Sequence, residues 1–156
     1  MPRASAGILL YRLNNTKPEV LLVHPGGPFW KNKDEGAWSI PKGEVKEGEE
    51  LLTTARREFE EEIGVAVNGN FKSLAPIKQK SGKIVHAFAV HGEIDTSTVK
   101  SNTCFIDWPP RSGKQIEIPE IDRAEFFDIA TARKKINPAQ AALLEELMRT
   151  LGRNAP

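Results

Sequence analysis

Residues 43–65 read GEVKEGEELLTTARREFEEEIGV, and this stretch decides the fold that we predict for the chain. Apolar side chains recur at helical spacing between residues 50 and 63, which predicts a helix with one buried side. These apolar positions are Leu52, Ala55, Phe59 and Ile63. Gly64 follows where the end of a helix favours a left-handed residue. The stretch therefore predicts a loop, a helix and a second loop.

The glutamates of this helix indicate its chemistry. Glu58, Glu61 and Glu62 are three and four residues apart and therefore share a face. We place that face away from Phe59 and Ile63. Like charges at these spacings repel by about 0.2–0.5 kcal/mol per pair, and a divalent cation would offset the repulsion. We expect Mg²⁺ (or Mn²⁺) here, and the alternative is an ordinary solvated acidic face.

The spacing of the charged residues and glycines resembles a known family motif. Five residues separate Gly43 from Glu49, and seven more precede Arg57. The other matching positions are Glu58, Phe59, Glu61, Glu62, Gly64 and Val65. This spacing is that of the Nudix box, whose seven fixed identities match by chance in roughly 1 of 10⁸ windows. On this resemblance the chain is identified as a member of the Nudix (MutT-type) hydrolases.

The resemblance implies a fold and a set of roles. We expect residues 1–156 to form a single Nudix domain, an α/β/α sandwich with a central mixed β-sheet and a loop–helix–loop catalytic motif. Glu58, Arg57 and Glu61 match catalytic residues, and the position of Glu58 is the general base in some relatives. Arg57 matches an arginine that holds a box glutamate in place, as its planar fork allows.

The metal ligands that the resemblance implies are the Gly43 carbonyl, Glu49, Glu58, Glu61 and Glu62. Relatives often add one glutamate from a loop before the last strand. Glu120 is the first candidate for that ligand, ahead of Glu117 and Glu125.

The rest of the chain interleaves strands and helices, which indicates an α/β fold with a central sheet. We predict strands over residues 5–13, 19–24, 65–67, 71–79, 83–91, 103–108 and 124–128, with an extended piece over residues 38–41 and a hairpin turn at residues 81–82. A last helix is predicted to begin at Asn137 and Pro138. Its expected buried side is Leu144, Leu147, Met148 and Leu151.

Five residues are candidates for substrate contacts. Lys42 directly precedes Gly43 and is placed to touch a phosphate. Arg111 and Lys114 lie in a Pro- and Gly-bounded loop that would close over an anion, or else form a basic surface turn. Trp38 and Trp108 are candidates to stack on a base, a contact worth about 1–3 kcal/mol. The alternative for Trp38 is packing in the core.

The resemblance implies hydrolysis of a diphosphate linkage in a nucleotide. Residues 41–43 resemble the dinucleoside polyphosphate hydrolases, and residues 24–30 and 108–113 resemble a bacterial branch predicted to be nucleoside triphosphate pyrophosphohydrolases. We therefore expect a dinucleoside tetraphosphate or a nucleoside triphosphate as substrate. The alternatives are ADP-ribose or a nucleotide sugar, an RNA end, and a domain that senses a nucleotide without catalysis.

Composition sets broader expectations. The single cysteine, Cys104, excludes an internal disulfide and indicates a reducing compartment. Residues 44–62 hold eight acidic and three basic residues, whereas the whole chain has a net charge of +1. The remainder of the chain is therefore basic, which favours an anionic substrate. The apolar runs are too short for a signal peptide or membrane span. We expect a cytoplasmic protein whose partner is a small nucleotide, with no nucleic acid or membrane.

Overall fold

A mixed seven-stranded sheet forms the centre of the computed structural model, which describes residues 3–152. Five strands follow the order β4-β6-β1-β2-β9, while β3 pairs with β1 and β5 with β6. The pair β1 and β6 is parallel and the other pairs are antiparallel. The seven strands are β1 (Ala4–Asn14), β2 (Lys17–Pro25), β3 (Lys42–Glu44), β4 (Lys72–Ser73), β5 (Ile77–Lys78), β6 (Ile84–His91) and β9 (Ile121–Asp128).

Two further strands, β7 (Thr103–Asp107) and β8 (Gln115–Pro119), pair only with each other and form a separate hairpin. The three α-helices are α1 (Leu51–Ile63), α2 (Ile129–Lys135) and α3 (Ala141–Thr150). Short 3₁₀ turns occupy Thr96–Thr98 and Pro138–Gln140.

Helices cover both faces of the sheet, and each face has its own apolar core. The first core, here called the α1-side core, joins α1 to alternate residues of β1 and β2 and includes Ala6, Ile8, Leu10, Ala55, Phe59 and Ile63. The second, the α2–α3-side core, includes Leu9, Val85, Ala87, Ile129, Leu143, Leu144 and Leu147. Because strand side chains alternate in direction, neighbouring residues of β1 enter opposite cores. This is the predicted α/β/α sandwich, which is thus confirmed.

The segment before α1 is inserted between β1 and β2. The backbone of Ser39 exchanges two hydrogen bonds with that of Val23 on β2, at 2.8 and 3.0 Å. The Ile8 N–H of β1 donates to the Pro41 carbonyl at 3.1 Å, and β3 then pairs with the beginning of β1. The insertion brings the chain from the sheet directly into the loop that leads to α1.

Most predicted elements are present, with three differences. Residues 65–67 form no strand, and the strand predicted over residues 71–79 is divided into β4 and β5, because Pro76 has no N–H to donate between them. The helix α2 and the strand β8 were not predicted, since both are short. The turn at residues 81–82 is confirmed, with Gly82 at a φ of 90°.

The last helix also differs slightly from the prediction. Asn137 and Pro138 begin a 3₁₀ turn, in which the Asn137 side chain caps the N–H of Ala139, and α3 follows that turn. Leu144, Leu147 and Met148 are buried as predicted, and Leu151 packs against the same core while partly exposed. In α1 the predicted Leu52 is only half-buried, and Thr54 is buried instead. Within residues 3–152, no helix is long and apolar enough to cross a membrane.

We expect the Gly7→Ala variant to be destabilised by about 1–3 kcal/mol, because the inserted segment leaves no room for a side chain there. A Cβ at Gly7 would lie 2.5 Å from the Pro41 carbonyl oxygen and 2.6 Å from Lys42 Cβ. The matched control is Gly92→Ala, where the nearest atom is the flexible end of Leu10 at 3.2 Å. Urea unfolding of the two variants measures the difference, and equal loss of stability would contradict the close packing.

Candidate active site

Arg57 is the centre of the candidate site. Its Nε and Nη2 donate to the two carboxylate oxygens of Glu49 at 2.9 and 3.0 Å, a bidentate pair. Its Nη1 donates to Glu58 at 2.7 Å and to Glu61 at 3.1 Å. Because one guanidinium contacts three carboxylates, its own pKa is raised, chiefly by the hydrogen bonds to Glu49. Arg57 therefore holds the acidic cluster together.

Glu49 supports Arg57 from the loop before α1. Arg57 and then the Thr54 hydroxyl, which donates to Glu49 Oε1 at 2.7 Å, lower the pKa of Glu49 to about 2. Both oxygens of this carboxylate are thus engaged. These contacts give Glu49 a role in positioning Arg57, and its place among the metal ligands stays a prediction. The buried Thr54 was missed from the sequence, where a hydroxyl inside a helix carries no distinctive signal.

Gly43 is a glycine because the Glu58 carboxylate lies against it. A Cβ at this position would lie 2.0 Å from Glu58 Oε1, closer than atoms can approach. The β3 strand pairs Gly43 with Ala6 in the sheet, so its backbone cannot withdraw. The first residue of the box and its first helical glutamate are therefore in contact. The Gly43 carbonyl as a metal ligand stays a prediction.

Glu62 is the most buried acid of the site. It is only 8% exposed, although we predicted its face to point away from the buried side of α1. Burial, followed by the charges of Glu58 and Glu120, raises its pKa to about 8. The backbone N–H of Lys42 donates to this carboxylate and partly offsets that effect. A buried carboxylate without an ion-pair partner needs a further cation or a proton.

Glu58 and Glu120 share this electrostatic environment. Burial raises the pKa of Glu58, and the charge of Glu61 adds to that effect while Arg57 opposes it. Burial and then the charge of Glu61 likewise raise the pKa of Glu120. Four glutamates from α1 and from the end of β8 thus repel one another across a small volume.

The structure brings Glu120 to the box glutamates, as the sequence suggested. It lines a cavity of about 170 Å³ together with Val23, Pro25, Ser39, Ile40, Lys42, Glu62 and Ile121. The two other candidates do not line it: Glu117 accepts a hydrogen bond from Thr103 within the β7–β8 hairpin, and Glu125 on β9 pairs with Leu22 on β2. The role of Glu120 as a metal ligand is a proposal that this position supports.

The donor set suits a hard divalent cation. It consists of carboxylate and carbonyl oxygens, without histidine or thiolate, and its like charges are mutually unfavourable. Within residues 3–152, no three such side chains converge closely enough to form a ready metal cluster. Glu58 and Glu61 point to Arg57 instead. Arg57 contacts only the Oε2 atom of each carboxylate, so the Oε1 atoms are the ones that would bind a metal ion.

Lys42 reaches the same cavity as Glu62 and Glu120, as expected for a phosphate contact. Burial, followed by the charge of Lys83, lowers the pKa of Lys42, whereas Glu62 and Glu58 raise it. Lys42 is thus a cation between an acidic cluster and a second lysine.

Trp38 is not available for stacking on a base, which corrects its prediction as a substrate-binding residue. Its side chain is 1% exposed within the α2–α3-side core. Its Nε1 donates to Asp34 at 2.8 Å, and its ring packs edge-on against Phe127 at a centroid distance of 5.0 Å. The alternative of core packing is the correct one.

The structure separates the hairpin residues from the glutamates. Trp108, Arg111 and Lys114 lie beyond the last paired residues of β7 and β8, Asp107 and Gln115. Along β7, the four residue steps from Asp107 back to Thr103 at the base of the hairpin span about 13 Å, at about 3.3 Å per residue. None of the three lines the cavity that Lys42, Glu62 and Glu120 share, and their role as substrate contacts stays a prediction.

Backbone contacts at the base of that hairpin complete the site and were missed from the sequence. The Asn102 N–H donates to the Glu61 carbonyl at 2.9 Å, and the Asn102 carbonyl accepts from the Glu120 N–H at 2.9 Å. The Glu120 carbonyl accepts in turn from the Gly26 N–H at 3.1 Å. This chain of bonds ties α1, the hairpin base and the end of β2 together. Main-chain bonds leave no residue signature, so the pattern could not predict them.

We expect the Glu62→Gln variant without metal to be more stable than the parent at pH 9 and equally stable near pH 4. The unfolded chain loses the Glu62 proton near the ordinary value of 4.5, whereas the fold retains it up to about pH 8. The parent therefore loses stability as the pH rises between these values, by more than about 1 kcal/mol in total. Glutamine carries no charge and avoids this loss.

Urea unfolding in EDTA at both pH values measures this effect. Glu60→Gln is the matched control, because Glu60 is exposed on the same helix. A Glu62→Gln variant that matches the control at pH 9 would show that the buried charge carries no cost.

Comparisons with known proteins agree with this geometry. The model of the NUDIX domain family matches residues 1–147. A 60-residue segment is 40% identical to Nudix hydrolase 7 of Arabidopsis thaliana, and a 51-residue segment is 43% identical to the RNA pyrophosphohydrolase of Caulobacter vibrioides. These segments make up 38% and 30% of this chain, and only 20% and 30% of those two proteins.

Solved structures show the same fold. The Ap4A hydrolase of C. elegans, in a binary complex, has a TM-score of 0.67 at 20% identity, covering 95% of this chain and 98% of that one. The NUDIX domain of Shewanella oneidensis NrtR, complexed with ADP ribose, has a TM-score of 0.68 at 14% identity, covering 97% and 89%. At these identities the likeness concerns the fold alone. Because the family model matches from before β1 into α3 and the box residues meet around Arg57, the chain belongs to the Nudix hydrolase family.

Proposed function

We propose that this protein is a divalent-metal-dependent hydrolase that splits a phosphoanhydride bond in a nucleoside polyphosphate. The observation that carries the proposal is the cavity in which Lys42 faces Glu62 and Glu120, beside Glu58 and Glu61 held by Arg57. Clustered acids that raise one another's pKa need a cation, and a lysine beside them suits the anion that such a cation would share.

The residues that would hold Mg²⁺ or Mn²⁺ are Glu58, Glu61 and Glu62, with Glu120 and the Gly43 carbonyl in addition. The ion would offset phosphate charge and lower the pKa of a water molecule at this point. Glu61 and Glu62 lie one residue apart at the end of α1, where Asn102 and Lys42 contact them through the backbone. The Lys42 N–H thus holds the Glu62 carboxylate itself, whereas Asn102 holds the backbone of Glu61.

Glu58 is the residue that we propose as general base. Its raised pKa makes it a stronger proton acceptor than an exposed glutamate, and its contact with Gly43 limits its positions. Arg57 would keep its carboxylate oriented while the water proton is transferred. The protein thereby positions water and phosphate and supplies charge, which is most of what phosphoanhydride cleavage requires.

Lys42 is the proposed phosphate contact. Its side chain lines the cavity with Glu62 and Glu120 and would neutralise a phosphate on the far side of the scissile bond. A dinucleoside tetraphosphate and a nucleoside triphosphate both present such a phosphate, as do ADP-ribose and nucleotide sugars. The Ap4A hydrolase of C. elegans shares the fold, and its name specifies a dinucleoside tetraphosphate substrate.

A second candidate substrate is the 5′-triphosphate end of RNA. It is favoured by the 43% identity to the RNA pyrophosphohydrolase of Caulobacter vibrioides over 51 residues. ADP-ribose, which the NrtR domain binds in its complex, is a third. A purely sensing role is the least favoured, because such a role has no need of Glu58, Glu61 and Glu62 together.

We expect release of phosphate or nucleotide only when Mg²⁺ or Mn²⁺ is added. The panel contains diadenosine tetraphosphate, the common nucleoside triphosphates, 5′-triphosphate RNA, ADP-ribose and a nucleotide sugar. Glu61→Gln and Glu62→Gln should each lower kcat by about 10²-fold or more, since each removes charge stabilisation at the reacting phosphates.

The matched control is again Glu60→Gln, which should retain the activity of the parent. Circular dichroism and urea unfolding show that each variant is folded. Full activity in both the Glu61 and the Glu62 variants would refute the site, and metal-independent turnover would refute the mechanism.

A further inference from the structure

The β7–β8 hairpin has two unlike faces. In both strands exposed and partly buried residues alternate, so every second side chain lies on the same face. The register pairs Cys104 with Ile118 and Ile106 with Ile116, which places these four side chains together. We call this group of four the inner face. The opposite, outer face carries Phe105, which is 67% exposed.

The inner face is apolar but is not part of either core of the described chain. None of its four side chains belongs to the α1-side core or the α2–α3-side core, and each is only partly buried. The loop after β2 holds one end of the inner face, since a Cβ added at Gly27 would lie 2.6 Å from Ile118 Cδ1. Apolar surface in contact with water is unfavourable, and a ligand that covers it recovers free energy.

The inner face continues directly from the acidic cavity. The Glu120 N–H donates to the Asn102 carbonyl at 2.9 Å, which extends the hairpin ladder by one residue beyond Pro119. By alternation the side chain of Glu120 lies on the same side as Ile118. Burial, followed by the charge of Glu120, raises the pKa of the Cys104 thiol, which agrees with this placement. An organic group attached to a phosphate at Glu120 would therefore meet Ile118 first.

The size and chemistry of the inner face suit one organic group rather than a protein. Stable protein interfaces bury about 800 Å² per partner, far more than four partly buried side chains expose. The inner face carries no charge and no strong hydrogen-bonding group, since isoleucine has none and a thiol is a weak donor. Such a surface suits a flat ring system, and every nucleobase presents a ring face of this kind.

We propose that the inner face binds the nucleoside part of the substrate by apolar contact and accepts any of the common bases. This proposal rests on the proposed hydrolase function and makes Ile116 and its cross-strand partner Ile106 specificity-determining residues. The bases differ in the hydrogen-bonding groups on their edges, which isoleucine side chains do not distinguish. Apolar contacts discriminate mainly by size, so the inner face favours the larger bases only modestly.

The test compares Ile116→Thr with Phe105→Thr, a matched control on the outer face of the same hairpin. For a nucleoside triphosphate or a dinucleoside tetraphosphate, Ile116→Thr should raise KM about fivefold and leave kcat within about twofold, because it removes apolar contact and leaves the glutamates in place. Circular dichroism and urea unfolding show that both variants are folded. Equal KM values for the two variants on every nucleotide that is turned over would overturn the proposal.

The choice of base gives a second measurement. The parent protein should turn over ATP, GTP, CTP and UTP with values of kcat/KM that differ by less than about 10²-fold, the range that apolar contact allows. A larger preference for one base would overturn the proposal, since it requires hydrogen bonds that the inner face does not offer.

Cys104 allows a binding measurement that needs neither turnover nor a metal ion. It is the single cysteine of the chain, so iodoacetamide reports on the inner face alone. In EDTA at one pH, adenosine should slow the alkylation of Cys104 in a saturable way, whereas ribose, which lacks a base, should not. Half-maximal shielding should need about fivefold more adenosine in Ile116→Thr than in Phe105→Thr.

The outcomes separate the two proposals. A parent protein that turns over no substrate, yet is shielded by adenosine at Cys104, would refute the hydrolase function and support the nucleoside surface. Metal-dependent turnover with equal KM in both variants and no shielding would support the hydrolase function and refute the nucleoside surface. Shielding that rises with protein concentration in the absence of adenosine would place a second copy of the chain on the inner face and refute the nucleoside surface as well.

Discussion

The contact of one guanidinium with three carboxylates is the interaction on which the site depends. Arg57 holds Glu49 through two parallel hydrogen bonds and uses its remaining nitrogen for Glu58 and Glu61. Only a planar fork with fixed donor directions can do this, so a lysine would not replace it. Because Glu49 belongs to the loop and the other two to α1, the same contact fastens the loop to the helix.

The inserted segment gives this cluster its surroundings. Residues 39–44 separate β1 from β2 and deliver Gly43 against Glu58 on one face of the sheet. On the opposite face, the same segment delivers Lys42 beside Gly7. A strand that alternates its side chains can serve both faces at once. The contacts of Gly43 with Glu58 and of Lys42 with Gly7 are thus both set by one short strand.

Much of this site is unfavourable for the isolated fold. Glu62 is buried near Glu58 and Glu120, and Lys42 is partly buried beside the same cavity. Burial of each charge costs stability, and a ligand of opposite charge relieves that cost.

The sequence by itself determined the family, the helix α1 and the acids at its end, because these depend on local spacing. The fixed order of Gly43, Glu49, Arg57 and the glutamates can be recognised in the sequence alone. Helical periodicity also located Phe59 and Ile63 in the core. Glu120 was identified through family resemblance, and its position at the cavity agrees with that.

Only the tertiary structure decided which side chains are buried and which residues distant in sequence come into contact. Helical spacing placed Glu62 on an exposed face, but the edge of that face is covered by β3 and the hairpin base, so the side chain is buried. Trp38 lies in the core, where its backbone pairs with Ile136 directly after α2, and Glu49 binds Arg57. The placement of Lys42 beside Gly7 depends on two strands that are distant in sequence. Local patterns carry no information on such register, which is set by the pairing of the whole sheet.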